Sequence, residues 1–302
     1  MVDRYAEGAA HVDGEIVPIG EARIPITDLG FSRSDVTYDV VAVWDGAFFR
    51  LDDHLERFER SCASLRLTLP VDRGGMKAIL HELVRRSGLR RSYVDVICTR
   101  GSSRTGSRDP RTFENHFYAY AIPYVWILRQ DDPDAGMAAV IARTVRRIPT
   151  DSVDPTVKNF HWGDLTRGQF ETYDRGGSHP VLLDHDGNVT EGSGYNLFAL
   201  VGDRLMTPES GALEGITRRT VLELAAAEGI KAEPATISEE AFRGASELFA
   251  TSTAGGVMPI ISLDGRPLGD GRPGPVTTLL RDRYWQAHSD PRYITRVDYS
   301  PA

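Results

Sequence analysis

The chain has almost no lysine: of its 35 basic residues only Lys77, Lys158 and Lys231 carry a primary amine, and the other 32 are arginines. Any chemistry that needs a primary amine therefore has three candidates. Arginine is no substitute, because a guanidinium stays charged throughout the working pH range. Cysteine is nearly as scarce. Cys62 and Cys98 form no CxxC motif, which fits reduced cytosolic thiols better than a disulfide framework, so a cytoplasmic setting is expected. The longest nearly apolar run, Phe117 to Leu128, falls well short of the ~20 residues that span a bilayer. The N-terminal MVDRYAEGAAHVDG has neither the basic nor the apolar region of a signal peptide. A net charge of −8, from 35 basic and 43 acidic residues, disfavours nucleic acid or an anionic membrane as partner. Motifs are missing too: no GxGxxG follows an expected strand, and there is no GxxxxGK[ST], no HExxH and no GxSxG. His179 and His185 are six apart with no third ligand in register, so no metal site is expected.

What remains is ordinary globular composition, 41% hydrophobic and 26% charged over 302 residues, enough for two domains or one large one. Asp39 to Trp44, Asp45-Gly46 and Ala47 to Arg50 read as a hairpin with a type I′ turn. Asp52 or Asp53 then caps a helix that carries Leu55, Phe58, Cys62 and Leu65 at helical spacing. A second helix with Met76, Ile79, Leu80, Leu83 and Val84 on one face stops at Gly88. Tyr93 to Thr99 and His116 to Ile122 read as strands around a Gly/Ser/Arg-rich loop, Gly101 to Arg111. The polar, proline-broken segment 128–136 is the candidate linker between lobes 1–127 and 137–302. Beyond it the pattern gives a strand at Ala138 to Arg143 and a short helix near Asp164 to Tyr173. Strands at Pro180 to Asp184 and Val189 to Leu200 follow, then a helix Arg218 to Glu228 capped by Thr217 and a strand Glu247 to Thr251. Without a strict βαβ rhythm, this predicts an α+β or mixed α/β fold in two lobes.

Lys77 and Lys231 sit in polar surroundings and read as solvated. Lys158 lies in Val157-Lys158-Asn159-Phe160-His161-Trp162. It is either a lysine whose stem covers a core edge while its ammonium reaches water, or a desolvated amine able to form a Schiff base. Glu191 shares a strand face with Val189 near Tyr195 and Phe198, where a carboxylate needs a partner or caps the Gly-Ser-Gly turn. Gly215-Ile216-Thr217 leads into a helix whose first amides suit an anion, or merely begins that helix. Thr251 to Gly256 is either a hydroxyl-bearing nest or a loop. Arg57 follows the helix's inner rim beside Phe58, or is exposed.

These residues occur in a recognisable order. DDHLERF (52–58), VKNF (157–160), TEGSGYNLF (190–198), LEGITRRTV (213–221) and ATSTAGGVMPI (250–260) resemble the class IV, fold type IV pyridoxal-phosphate aminotransferases. Within that class, residues 31–40, 158–168 and 294–299 are most similar to (R)-selective amine transaminases. The resemblance implies a small N-terminal and a larger C-terminal α/β domain with the cofactor, pyridoxal 5′-phosphate, between them, in a homodimer. It makes Lys158 the Schiff-base lysine and Glu191 the carboxylate on the pyridine nitrogen. Arg57, Ile216, Thr217, Ser252 and Thr253 become phosphate ligands, and Arg33, Tyr38, Val40, Tyr93, Asp95, Arg104 and Trp162 fall at the substrate pocket. Asp95 stands where amine-transaminase relatives often carry glutamate, and Ser252 where threonine is common.

The function so implied is ping-pong transfer of an amino group from an (R)-amine to a keto acid such as pyruvate. Tyr38, Val40, Tyr93 and Trp162 suit an apolar donor, and Arg104 is the loop arginine for the acceptor's carboxylate, with Arg108 and Arg111 as neighbours. The alternatives are a D-amino-acid or branched-chain aminotransferase, a pyridoxal-phosphate lyase, or a catalytically silent phosphate-ligand binder. A mere binder has no need of Lys158 or Glu191.

Overall fold

The computed structural model describes residues 4–103, 106–129 and 131–300. It separates into two compact units. The first holds the chain up to Val125, the short segment Val157–Phe160 and the tail from His288; the second holds Trp126–Thr156 and His161–Ala287. The contiguous lobes expected from the sequence therefore lose two pieces to the first unit, for a physical reason. Asn159 bridges to Thr37, and the tail strand Ile294–Arg296 pairs with Ala47–Phe49. The expected linker is not a free spacer throughout, since Leu128 packs on the second unit's core.

The first unit is built on a seven-stranded sheet. Its strands are β1 (Ala9–Val12), β2 (Glu15–Pro18), β3 (Val36–Trp44), β4 (Ala47–Phe49), β5 (Ser92–Ser103), β6 (Phe113–Pro123) and the tail strand. They lie in the order tail–β4–β3–β5–β6–β1–β2, with every neighbouring pair antiparallel. Asp45 and Gly46 both take positive φ, 49° and 82°, as a type I′ hairpin turn between β3 and β4 requires. Side chains alternate. Val41, Val43, Val94, Val96, Cys98, Phe117 and Ala119 face helices α2 (Leu51–Ser64) and α3 (Arg73–Ser87), whose Leu55, Phe58, Met76 and Leu80 complete the core. Each of the Val, Leu, Phe and Met side chains contributes about 1.5–3 kcal/mol on burial. Helix α2 starts at Leu51 behind Arg50, whose φ is 54° and whose side chain does not cap it. The expected caps Asp52 and Asp53 lie inside the first turn instead, where their charge complements the helix dipole.

The second unit carries β7 (Met137–Ile141), β8 (His179–Val181), β9 (Glu191–Gly192), β10 (Tyr195–Val201), β11 (Arg204–Pro208), β12 (Lys231–Ala235), β13 (Glu247–Ser252), β14 (Gly256–Leu263) and β15 (Arg266–Pro267). The sheet runs β12–β11–β10–β13–β14–β7–β8, with β9 on β10 and β15 on β14. The strand expected over Val189 to Leu200 is thus two, β9 and β10, folded back at Ser193–Gly194 with Asn196 opposite Glu191. Leu197, Ala199, Leu248, Ala250, Met258 and Ile260 form the core on one face. On the other, Phe198 and Phe249 stack with ring centroids 4.7 Å apart, and α5 (Ile216–Ala227) and α7 (Pro275–Ala287) pack against this region. Helix α5 begins at Ile216 with Gly215 as its N-terminal boundary and no capping side chain. Thr217 does not cap it, because it already lies within the first turn. No helix among the described residues is long and apolar enough to cross a membrane.

Candidate active site

Lys158 is fixed through its backbone. Its carbonyl accepts hydrogen bonds from the Tyr38 N–H at 3.2 Å and the Thr37 hydroxyl at 2.7 Å. From that anchor the half-buried side chain places Nζ 4.2 Å from the centre of the Tyr38 ring, a cation–π distance. Phe160 packs on the same ring at 4.7 Å between centroids. The other two lysines sit in surface ion pairs, Lys77 with Asp52 and Lys231 with Asp203, both at 2.5 Å.

Pairing register puts Lys158's neighbours on one face of the first sheet. Val40 is opposite Asp95, which is opposite Tyr120; Tyr38 and Tyr93 lie two residues along their strands on that same side. Asp95 is 3% exposed. Its Oδ2 accepts a hydrogen bond from the Tyr120 hydroxyl at 3.0 Å, and its Oδ1 has no hydrogen-bond partner among the described residues. Burial raises its pKa well above the carboxylate range, opposed by the Tyr120 hydroxyl and the charge of Lys158. Burial, then Asp95, raises the phenols of Tyr93 and Tyr120 as well.

On the opposite face, Arg57 is buried at 4% exposure, not solvated. Its Nε and Nη2 donate to Asp39 at 2.7 and 2.8 Å, and His54 Nδ1 is 2.8 Å from the same carboxylate. Burial alone would raise Asp39, but Arg57 and His54 outweigh it and hold the carboxyl far below its usual range. Arg33 is exposed at the end of helix α1 (Leu29–Arg33). Arg104 lies outside the described residues. Of its neighbours, Arg108 is exposed and Arg111 is paired with Asp109 at 2.6 Å.

The second unit assembles a cradle around Glu191. Its Oε1 accepts from Arg147 Nε and its Oε2 from the Leu213 N–H, each at 3.0 Å. Arg147 also donates through Nη1 to Asp164 at 2.6 Å. Burial presses the Arg147 pKa down, but Glu191 and Asp164 together raise it, so the guanidinium stays charged. Asn196, beside Glu191 in register, donates to the Leu213 carbonyl at 2.7 Å. A Cβ on Gly215 would lie 2.0 Å from Asn196 Oδ1, so only glycine lets the start of α5 approach this row. Ile216 and Thr217 follow in that first turn, buried, with Thr217 Oγ1 3.4 Å from the Tyr284 hydroxyl. Ser252 Oγ donates to the Gly194 carbonyl at 2.8 Å and accepts from the Ala254 N–H, and Thr253 is next in the turn. Trp162 lies over Gly194, where a Cβ would meet its ring at 3.2 Å.

The structure thus gathers Tyr38, Val40, Tyr93, Asp95 and Lys158 in one unit, and Glu191, Ile216, Thr217, Ser252, Thr253 and Trp162 in the other. Arg147, Asp164, Asp39, His54 and Asn196 are partners that sequence reasoning did not find. No spacing marks them out, and Arg147 stands among arginines at 143 and 146.

The family model for class IV amino-transferases matches residues 37–263, more than half of the chain. A branched-chain-amino-acid aminotransferase of Pseudomonas aeruginosa is 28% identical over 98% of this chain and 99% of its own. A D-alanine aminotransferase of Bacillus licheniformis is 27% identical over 88% of this chain and 92% of its own. The crystal structure of a T.th. branched-chain amino acid aminotransferase with pyridoxamine 5′-phosphate superposes with a TM-score of 0.89 at 26% identity, covering 97% of this chain and all of that one.

Proposed function

The chain belongs to the class IV aminotransferase family, and we propose that within it this enzyme takes its amino group from an (R)-amine and passes it to a keto acid such as pyruvate. Its cofactor is pyridoxal 5′-phosphate, whose protonated ring, when bound, serves as the electron sink for the substrate carbon that carries the amine. Two observations in the second unit suit such a ligand. The first-turn amides of α5 have no capping side chain, and Thr251 Oγ1, in register with Asn196, is buried without a hydrogen-bond partner among the described residues.

In this reading Lys158 Nζ is the point of covalent attachment, and afterwards it carries the proton taken from the substrate carbon. The Glu191 carboxylate keeps the ring nitrogen protonated, and Arg147 with the Leu213 N–H orients that carboxylate. The Ile216 N–H, Thr217, Ser252 and Thr253 bind phosphate; Arg57, tied to Asp39, joins them on the resemblance alone. Arg33, Arg104 and Trp162 join the substrate side on the same ground.

One observation carries the choice of donor. The row formed by Tyr38, Val40, Tyr93, Asp95 and Tyr120 contains no arginine and has a carboxyl at its centre. An amino-acid donor brings an α-carboxylate that needs a cation; an amine donor brings only an apolar group. The relatives' names favour a second reading, transfer from branched-chain amino acids or D-alanine. Initial rates with both 1-phenylethylamine enantiomers, D-alanine and L-leucine decide between them. The (R)-amine is expected to be fastest; a faster rate with either amino acid overturns the donor assignment. The resemblance also supports a homodimer, and a monomer in sedimentation velocity would contradict it.

A further inference from the structure

Asp95 is a costly residue to keep where it is. A carboxyl 97% buried is normally given a cation or a full set of hydrogen bonds; this one is met by the Tyr120 hydroxyl on Oδ2, with the Val96 N–H also acting on the group. The other oxygen has no hydrogen-bond partner among the described residues, although Lys158 is near enough for its charge to act on the group. Around it stand Val40 and the rings of Tyr38 and Tyr93, none of which supplies the missing bond. An unmet acceptor beside the reactive amine has value if the missing donor arrives with the substrate.

We infer that Asp95 reads the side arm of the amine donor: its Oδ1 accepts a hydrogen bond from a hydroxyl or ammonium group on that arm, and the same carboxyl selects against an arm ending in carboxylate. The inference rests on the amine-donor reading and deepens it, from apolar amines to amines with a hydrogen-bond-donating arm. Such an arm supplies the bond that Oδ1 lacks, and a buried acceptor left unmet costs more than the bond itself contributes. A carboxylate at that place sets one acid against another.

The test uses the holoenzyme with donors of the form CH3–CH(NH2)–arm, the arm ending in methyl, hydroxymethyl, aminomethyl or carboxylate, at two arm lengths. Equilibrium binding is followed by the cofactor's visible absorbance, and kcat/KM by pyruvate consumption. The wild-type enzyme is expected to favour the hydroxymethyl or aminomethyl arm over methyl by about tenfold or more, and carboxylate is expected last. The hydroxymethyl and aminomethyl arms tell a neutral donor from a cationic one. In Asp95→Ala the preference should collapse. In Tyr120→Phe, which keeps the carboxyl, it should persist. An unchanged ranking in Asp95→Ala, with all rates falling together, would mean that Asp95 only supports the sheet and would overturn the inference. A wild-type preference for carboxylate arms would do the same. If the series binds in the expected order without being transaminated, the amine-donor reading falls while the assignment to Asp95 stands.

Discussion

Asp39 and Asp95 stand on adjacent rungs of the β3–β5 ladder, Asp39 opposite Val96 and Asp95 opposite Val40, and they turn to opposite faces of the sheet. Their carboxyl groups are driven in opposite directions. Both are buried, which disfavours charge; Arg57 and His54 overcome that at Asp39, whereas Tyr120 and Lys158 do not at Asp95.

The two should therefore respond oppositely to pH. The depressed group at Asp39 stabilises the fold above its unfolded pKa of ~3.9, and that contribution is lost as pH falls towards the folded value. Asp95 is raised, so its neutral form is the comfortable one, and stability is lost as pH rises from ~3.9 through the folded value. Asp39→Asn, which leaves Arg57 buried without its carboxylate, is expected to cost about 3–5 kcal/mol at pH 7. Asp95→Asn is expected to stabilise at pH 7 and to be neutral near pH 3. Urea midpoints at both pH values check the signs, and parallel curves for the two variants would refute them.

Lys158→Ala should abolish turnover and the borohydride-reducible yellow band, while Lys77→Ala and Lys231→Ala keep both. Those two exposed pairs are worth ~1 kcal/mol or less, so their loss should barely move the melting temperature. Turnover in the Lys158 variant would sink the mechanism.

Glu191→Gln should retain the cofactor but slow the amine half-reaction, because an amide no longer favours a protonated ring nitrogen. Arg147→Met should do more damage, leaving Glu191 and Asp164 buried without their shared cation, at about 3–5 kcal/mol in stability. Stopped-flow half-reactions and denaturation midpoints separate the effects. A full rate in Glu191→Gln would remove Glu191 from the chemistry.

Arg104→Ala should raise the KM for pyruvate and leave the amine half-reaction nearly intact, since an apolar donor offers no carboxylate. Loss of a charge-assisted pair is expected to lower kcat/KM for the acceptor about 10- to 150-fold. Equal losses in both half-reactions would indicate a structural role for the loop.

Local rules made much of this legible. The Asp45-Gly46 turn, the amphipathic face of α3 and its stop at Gly88 are decided by neighbouring residues, and sequence reading reached them. Lys158 and Glu191 stood out because a scarce amine and a carboxylate among apolar neighbours are chemically conspicuous. The Arg57–Asp39 and Arg147–Glu191 pairs were not legible. Their partners are 18 and 44 residues apart, and only the completed sheets bring them together. The division of Val189–Leu200 into β9 and β10 was missed for a different reason: Gly192-Ser193-Gly194 suits a turn, but only the pairing of Asn196 with Glu191 shows that the strand folds back on itself there.

Lys158's carbonyl is clamped by two donors from β3 while its side chain alone reaches over Tyr38. The amine is thus tethered: four methylenes, not a wandering loop, set the volume it searches. On the proposed mechanism it would return after each release to the same small space, so its effective concentration there would stay high without a second copy of the group. In a chain with three lysines, one amine on a short leash is sufficient.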